Sequence, residues 1–158
     1  MPYPDPRITL AEPGDAREIY ALQMAAYATE TLLYDDPIPP VVQTWESALE
    51  DFAGWHVLKL EVEGRIAGSV RGRMERGACQ IGKLMVHPDF RGRGLGSALL
   101  DAIESAFPDV PYELFTGDRS RFNIDMYLRH GYRIVRTDPA AGLVYFRKDG
   151  HTGAQSRC

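Results

Sequence analysis

The stretch Ile81 to Ala106, reading IGKLMVHPDFRGRGLGSALLDAIESA, constrains everything around it. Ile81 to Val86 is an apolar run of strand type, and His87 to Phe90 is a proline-containing turn. From Arg91-Gly92-Arg93-Gly94-Leu95-Gly96 onward, the residues Leu95, Ala98, Leu99, Ala102, Ile103 and Ala106 share one helical face. A strand, a glycine-rich turn and a helix in that order present bare backbone N–H groups. The first amides of a helix have no intrahelical acceptor, and the aligned peptide dipoles place partial positive charge there. Glycines at that end remove the side chains that would obstruct an anion. Arg91 and Arg93 add formal charge. The pattern predicts a cradle for a diphosphate.

Spacing separates this cradle from two other phosphate motifs. A P-loop ends in Gly-Lys-Ser/Thr, whereas Gly96-Ser97 has no lysine between them. A dinucleotide fingerprint reads G-x-G-x-x-G, and the spacing here is G-x-G-x-G. The plain alternative is an exposed turn whose glycines only change the chain direction. The strand before it and the amphipathic helix after it favour the anion site.

The chain has 158 residues, the length of one domain, and is 44% hydrophobic, enough for a single core. One α+β domain is expected over residues 7–148, with a polar, disordered tail from Asp149 to Cys158. A net charge of −4 argues against a nonspecific nucleic-acid binder. No apolar run has membrane-spanning length, and the amino terminus does not read as a leader. Cys79 and Cys158 have no metal-ligand spacing and form no disulfide framework, and His56, His87, His130 and His151 are scattered. No metal site is expected. These features together point to a reducing cytoplasm.

Read in order, Ile8 to Leu10 is a short strand. Asp15, with Glu18 three residues on, reads as the N-cap of a helix carrying Ile19, Leu22 and Ala26 on one face. Glu30 to Pro40 is irregular, and the paired prolines Pro39 and Pro40 are expected to stop any helix. Val41 to Phe52 reads as one helix. A three-stranded meander follows over residues 55–86, with turns at Glu63-Gly64 and Glu75-Arg76-Gly77. After the cradle and its helix come a strand at Tyr112 to Thr116, a short helix at Ser120 to His130 and a closing hairpin. Gly131 reads as the left-handed residue that ends the short helix.

Leu84-Met85-Val86-His87-Pro88, followed by Arg91-Gly92-Arg93-Gly94-Leu95-Gly96, resembles the acyl-CoA signature of the GNAT superfamily of N-acetyltransferases. That signature is written Q/R-x-x-G-x-G/A, and Arg91, Gly94 and Gly96 fill it. The resemblance implies the acyl-CoA N-acyltransferase fold: a mixed, mostly antiparallel sheet with helices on both faces, whose two parallel strands splay apart. It implies acetyl-CoA as co-substrate, with backbone groups of Leu84 and Val86 on the pantetheine, the Met85 amide facing the thioester oxygen, and the backbone amides of Arg91, Gly92, Arg93, Gly94, Leu95, Gly96 and Ser97 on the diphosphate. It also makes Arg91 a phosphate contact, Asn123 a pantetheine contact and Tyr127 the acid that protonates the leaving thiolate. Relatives often pair, so a homodimer is compatible with it.

Acetyl transfer to an amine needs a neutral nucleophile, a donor to the developing oxyanion, a proton for the thiolate, and both substrates held together. It needs no metal. Asn123 and Tyr127 stand one helical turn apart and share a face. No carboxylate lies on the strand before the cradle, where some relatives keep their base. Lys83 stands there instead and cannot serve unless strongly desolvated. No base is assigned. Tyr27, Glu30, Tyr34, Asp35 and Asp36 fall where the family builds its acceptor pocket, with the acids placed to recognise a cation; a plain surface loop is the alternative. Trp45 and Trp55 read as core. The reading is an N-acetyltransferase acting on a small-molecule or peptide amine. The alternatives are a protein N-terminal or lysine acetyltransferase and a non-catalytic acyl-CoA sensor.

Overall fold

Residues 3–150 are described by a computed structural model. Seven strands form one sheet: β1 (Ile8–Leu10), β2 (His56–Val62), β3 (Arg65–Glu75), β4 (Ala78–Val86), β5 (Tyr112–Gly117), β6 (Arg133–Asp138) and β7 (Leu143–Lys148). Their spatial order is β1-β2-β3-β4-β5-β7-β6. Every neighbouring pair is antiparallel except β4 and β5. The helices are α1 (Ala16–Glu30), α2 (Pro39–Val42), α3 (Trp45–Ala53), α4 (Leu95–Ala106) and α5 (Arg121–Arg129).

The sheet is apolar on both faces, because successive strand residues point to opposite sides. Val57 joins a cluster with Ile19, Leu22, Ala26, Ile66 and Met85 under α1. Its neighbour Leu58 joins the larger cluster with Val70, Leu99, Ile103, Tyr127 and Phe146 under α4 and α5. On β3, Gly68 and Gly72 let α4 lie close against the sheet. A Cβ at Gly68 would stand 2.8 Å from Leu99 Cδ1, and one at Gly72 would stand 3.0 Å from Ile103 Cγ1. Leu99 and Ile103 are one turn apart on α4, so the two glycines match successive ridges of the helix.

Two sequence expectations are corrected. Asp15 stands at the N-cap of α1 as expected, but its carboxylate caps an earlier turn: Glu12 N donates to it at 2.8 Å, and Lys59 pairs with it at 2.9 Å. Glu18 instead accepts from Ile66 N at 2.9 Å, tying α1 to the sheet. The helix expected over residues 41–52 is divided. Pro39 and Pro40 open α2 instead of stopping it, since an amide missing from a first turn loses no helical bond. Thr44 then caps α3, its Oγ1 accepting from Ser47 N at 3.1 Å, with Gln43 extended between the two.

The parallel pair decides the shape of the site. β4 and β5 are paired only at Cys79↔Tyr112 and Gln80↔Glu113, and beyond Gln80 they part. Gln80 Nε2 donates to Glu113 Oε1 at 2.7 Å at the narrow end, and Arg147 pairs with the other oxygen of Glu113. The outer half of β4, from Ile81 to Val86, therefore borders an open cleft. Cys79, at the apex, is a free thiol with no solvent exposure, and burial pushes its pKa up to about 12. Cys158 and the tail from residue 151 onward lie outside the described residues.

Candidate active site

The open edge of β4 carries a bulge. Ser69 pairs with Met85 and Arg71 with Gly82, so Val70 faces both Lys83 and Leu84. Lys83 takes φ +47°, a left-handed conformation that a lysine adopts at some cost. Beyond the bulge, His87 N donates to Ala67 O at 2.8 Å. The two-residue alternation of an antiparallel ladder then directs the backbone groups of Met85 toward β3, and those of Leu84 and Val86 toward the cleft. Of these amides, those of Leu84 and Val86 lie on the cleft side and that of Met85 does not. The Met85 side chain lies buried under α1.

The cradle is built as its sequence requires. Gly92 and Gly94 take φ +81° and +75°, where an L-residue would be strained. Gly94 is the N-cap of α4, and the first helical bond runs from Ala98 N to Gly94 O at 3.1 Å. Among the described residues none accepts from the amides of residues 92–97. Gly96 allows α5 to approach, since a Cβ there would meet Met126 Sδ at 3.3 Å. The Ser97 hydroxyl lies 2.8 Å from His130 Nε2, so the first turn of α4 is tied to the end of α5. Of the two arginines, Arg93 lies over the Phe90 ring, 5.1 Å from its centroid. Arg91 donates instead to Ala26 O at 2.8 Å, so its guanidinium joins the turn to α1.

Across the cleft stand α1 and α5. Tyr127 is 5% exposed, packs edge-on to Phe146, and lines the cleft. Burial and the nearby Glu30 charge raise its pKa, which keeps the phenol protonated. Asn123 Nδ2 lies 3.4 Å from both Glu30 Oε1 and Thr116 Oγ1, and so bridges α1 and β5. Burial also raises the pKa of Glu30, against smaller opposing effects from the Ser120 hydroxyl and Arg91. Tyr27 lies beside both groups: burial, then Tyr127 and Glu30, raise its pKa, while Arg71 opposes them. Tyr34 has a structural task. Its hydroxyl accepts from Arg119 N at 3.0 Å and sits where a Cβ of Gly117 would be, 1.9 Å away, fixing residues 31–38 against the end of β5. Asp35 and Asp36 line the same rim.

The opposite wall is basic; sequence reasoning named Lys83 of it and missed Arg71. Arg71 from β3 and Lys83 from β4 line the cleft beside Trp55. Trp55, read from sequence as core, is packed between Arg71 and Arg73, each 4.1 Å from its ring centroid. Lys83 is desolvated, and burial, with Arg71 next, lowers its pKa to about 8. Gly82 lies opposite Arg71 across the two strands, a pairing that the sequence alone does not show.

Two parallel strands that part beside a helix with bare N-terminal amides define the acyl-CoA N-acyltransferase architecture. Residues 16–132 match the acetyltransferase (GNAT) family, and the chain belongs to it. The UPF0157 protein YqkA of Bacillus subtilis is 30% identical over 131 residues, covering 80% of this chain and 37% of that protein. Acetyltransferase ECA0875 of Pectobacterium atrosepticum is 47% identical over 47 residues, covering 30% of this chain and 33% of that protein. The chain thus spans about a third of the length of these curated relatives. The PaiA N-acetyltransferase of Thermoplasma acidophilum, solved in complex with coenzyme A, shares the fold at a TM-score of 0.77 and 13% identity, over 90% of this chain and 97% of that one. Among the described residues no helix is long and apolar enough to cross a membrane, and no group of His, Cys, Asp or Glu is arranged to hold a metal.

Proposed function

We propose that the chain is an N-acetyltransferase that passes an acetyl group from acetyl-CoA directly to an amine of a small molecule or peptide, with both substrates bound together. One observation carries this reading. The unpaired edge of β4 at Leu84 and Val86 runs straight into the unpartnered amides of residues 92–97. Such a track suits a ligand whose amide-bearing arm ends in a diphosphate. The arm pairs with the strand edge as an added strand does, and the diphosphate meets the helix N-terminus.

In this reading the thioester oxygen accepts from the Leu84 amide. The neutral amine attacks the carbonyl carbon, and the carbon–sulfur bond breaks. Tyr127 gives its phenolic proton to the departing sulfur, and Glu30 takes the proton shed by the new amide nitrogen. A carboxyl with a raised pKa is the stronger base, and a phenol kept neutral by burial still holds the proton it must give. Proton return from Glu30 to Tyr127 resets the pair. The cytoplasm is the compartment that fits this co-substrate, and the free thiol of Cys79 suits it.

The test is calorimetric titration with CoA. Gly94→Glu forces a side chain onto φ +75° and puts a carboxylate among the cradle amides, so CoA binding is lost. Wild-type affinity in this variant refutes the cradle. A thiol-release assay with acetyl-CoA and a panel of amines then reads transfer itself.

A further inference from the structure

The basic wall is more than the acyl donor requires. The Arg71 side chain is 17% exposed and that of Lys83 18%, and both line the cleft. Their nearest carboxylate is shared: Asp51 Oδ2 lies 3.6 Å from Arg71 Nη1 and 4.0 Å from Lys83 Nζ, and it also accepts from Gln43 Nε2 at 2.8 Å. Two half-buried cations thus stand against one carboxylate. The Arg71 Nε is buried with no hydrogen-bond partner among the described residues, an uncommon state for a guanidinium donor.

The wall is also rigid. Lys83 Nζ donates to Gln23 Oε1 at 3.0 Å and to Gln43 Oε1, and Gln23, itself 2% exposed, donates to Pro40 O at 2.9 Å. Arg71 is held flat on Trp55. Gly82 leaves the space beside the guanidinium clear, as a Cβ there would stand 3.4 Å from Arg71 Nε. Like charges held together at partial burial repel each other, and a bound anion relieves that repulsion. Lys83 directly precedes Leu84, whose amide faces the reacting end of the cleft. Across from this wall, Glu30 from α1 and Tyr127 from α5 line the cleft, and Asn123 Nδ2 lies 3.4 Å from Glu30 Oε1. The cleft therefore has a side that suits an amine and a side that suits an anion, and Tyr27 also lines it.

We propose that the acceptor is a small amine that also carries a carboxylate, an amino acid in chemical class, with its carboxylate held by Arg71 and Lys83 and its amine turned to Glu30 and Tyr127. This rests on the acetyltransferase reading for its amine half only. The cation expected from the acidic loop is then the acceptor's own amino group.

The experiment has two arms. In the thiol-release assay, α-amino acids are compared with their carboxamides and with diamines of similar length. The expected kcat/KM for amino acids exceeds that of the carboxamides by tenfold or more. Arg71→Gln and Lys83→Gln each reduce that preference at least tenfold through the acceptor KM, leaving the KM for acetyl-CoA in place. Carboxamides or diamines used as well as amino acids overturn the proposal, as does a preference that survives both substitutions. In the second arm, N-acetyl amino acids and their carboxamides are titrated calorimetrically into the CoA-bound protein. Binding of the carboxylates alone, lost in both variants, upholds the anion site even if no amine is acetylated, in which case the transfer reading fails instead. Equal binding of the carboxamides, or binding of neither, overturns the site. Lys83→Gln leaves the Arg71–Trp55 stack untouched and serves where Arg71→Gln does not fold.

Discussion

At the scale of single residues the site is a study in desolvation. Tyr127, Glu30 and Lys83 are ordinary side chains whose protonation is moved by burial before any neighbour acts on it. Burial keeps Tyr127 protonated but makes it a weaker acid, so its proposed role rests on its place in the cleft: Tyr127→Phe is expected to lower kcat by about 10²-fold or more while the KM for acetyl-CoA changes little. An unchanged kcat removes Tyr127 from the chemistry. For Glu30 the raised pKa means that it protonates, and stops acting as a base, at a higher pH than a free glutamate. Activity in the wild type falls on that acid limb. Glu30→Gln lowers the plateau and abolishes the limb, and a limb that persists in the variant assigns the base to another group. Asn123, expected against the ligand's arm, spans Glu30 and Thr116, and in the proposed mechanism it would hold that carboxyl in place.

At the scale of elements the periodic signals were legible and the irregular ones were not. The strand, turn and helix of residues 81–106 were readable because each part depends on its own neighbours in the chain. The bulge at Lys83 was hidden, because it exists only relative to β3, where Val70 opposes both Lys83 and Leu84. That single extra residue decides which amides face the cleft, and it is why the proposed oxyanion donor is Leu84 and not Met85. Proline at 39 and 40 was read as a stop because a proline cannot extend a helix, yet it can begin one. The glycines of β3 show why small residues in a strand need a packing partner to be understood. Gly68→Ala sets a Cβ 2.8 Å from Leu99 Cδ1 and 3.0 Å from Met85 O. Overpacking there costs about 1–3 kcal/mol, read as a lower urea midpoint at unchanged slope. A midpoint equal to wild type shows that α4 can move away without penalty.

At the scale of the molecule, the sheet is closed between β4 and β5 at Gln80 and Glu113 and open beyond. Burying Lys83 in its wall leaves a signature in global stability. Its pKa falls from 10.5 in the unfolded chain to about 8 in the folded one. Between those values the unfolded chain carries a proton that the folded chain lacks, so the contribution of Lys83 to stability rises with pH through that window. Below about 8 both states are protonated and the full penalty is present. The stability difference between wild type and Lys83→Met, measured by denaturant melts, therefore shifts in favour of wild type from pH 8 to 10.5. A difference that stays flat across that range shows that Lys83 titrates normally and is not desolvated.

The amino-acid sequence by itself determined the cradle, the helix behind it and the family to which the chain belongs. Bare amides at a helix N-terminus are supplied by consecutive residues, so local order suffices to place them. Only the tertiary structure decided the chemistry around them. Glu30 and Tyr127 stand nearly a hundred positions apart, and Arg71 meets Lys83 through the register of two strands. Charge and burial depend on distance through space, and the folding of the sheet sets that distance for residues the chain keeps apart.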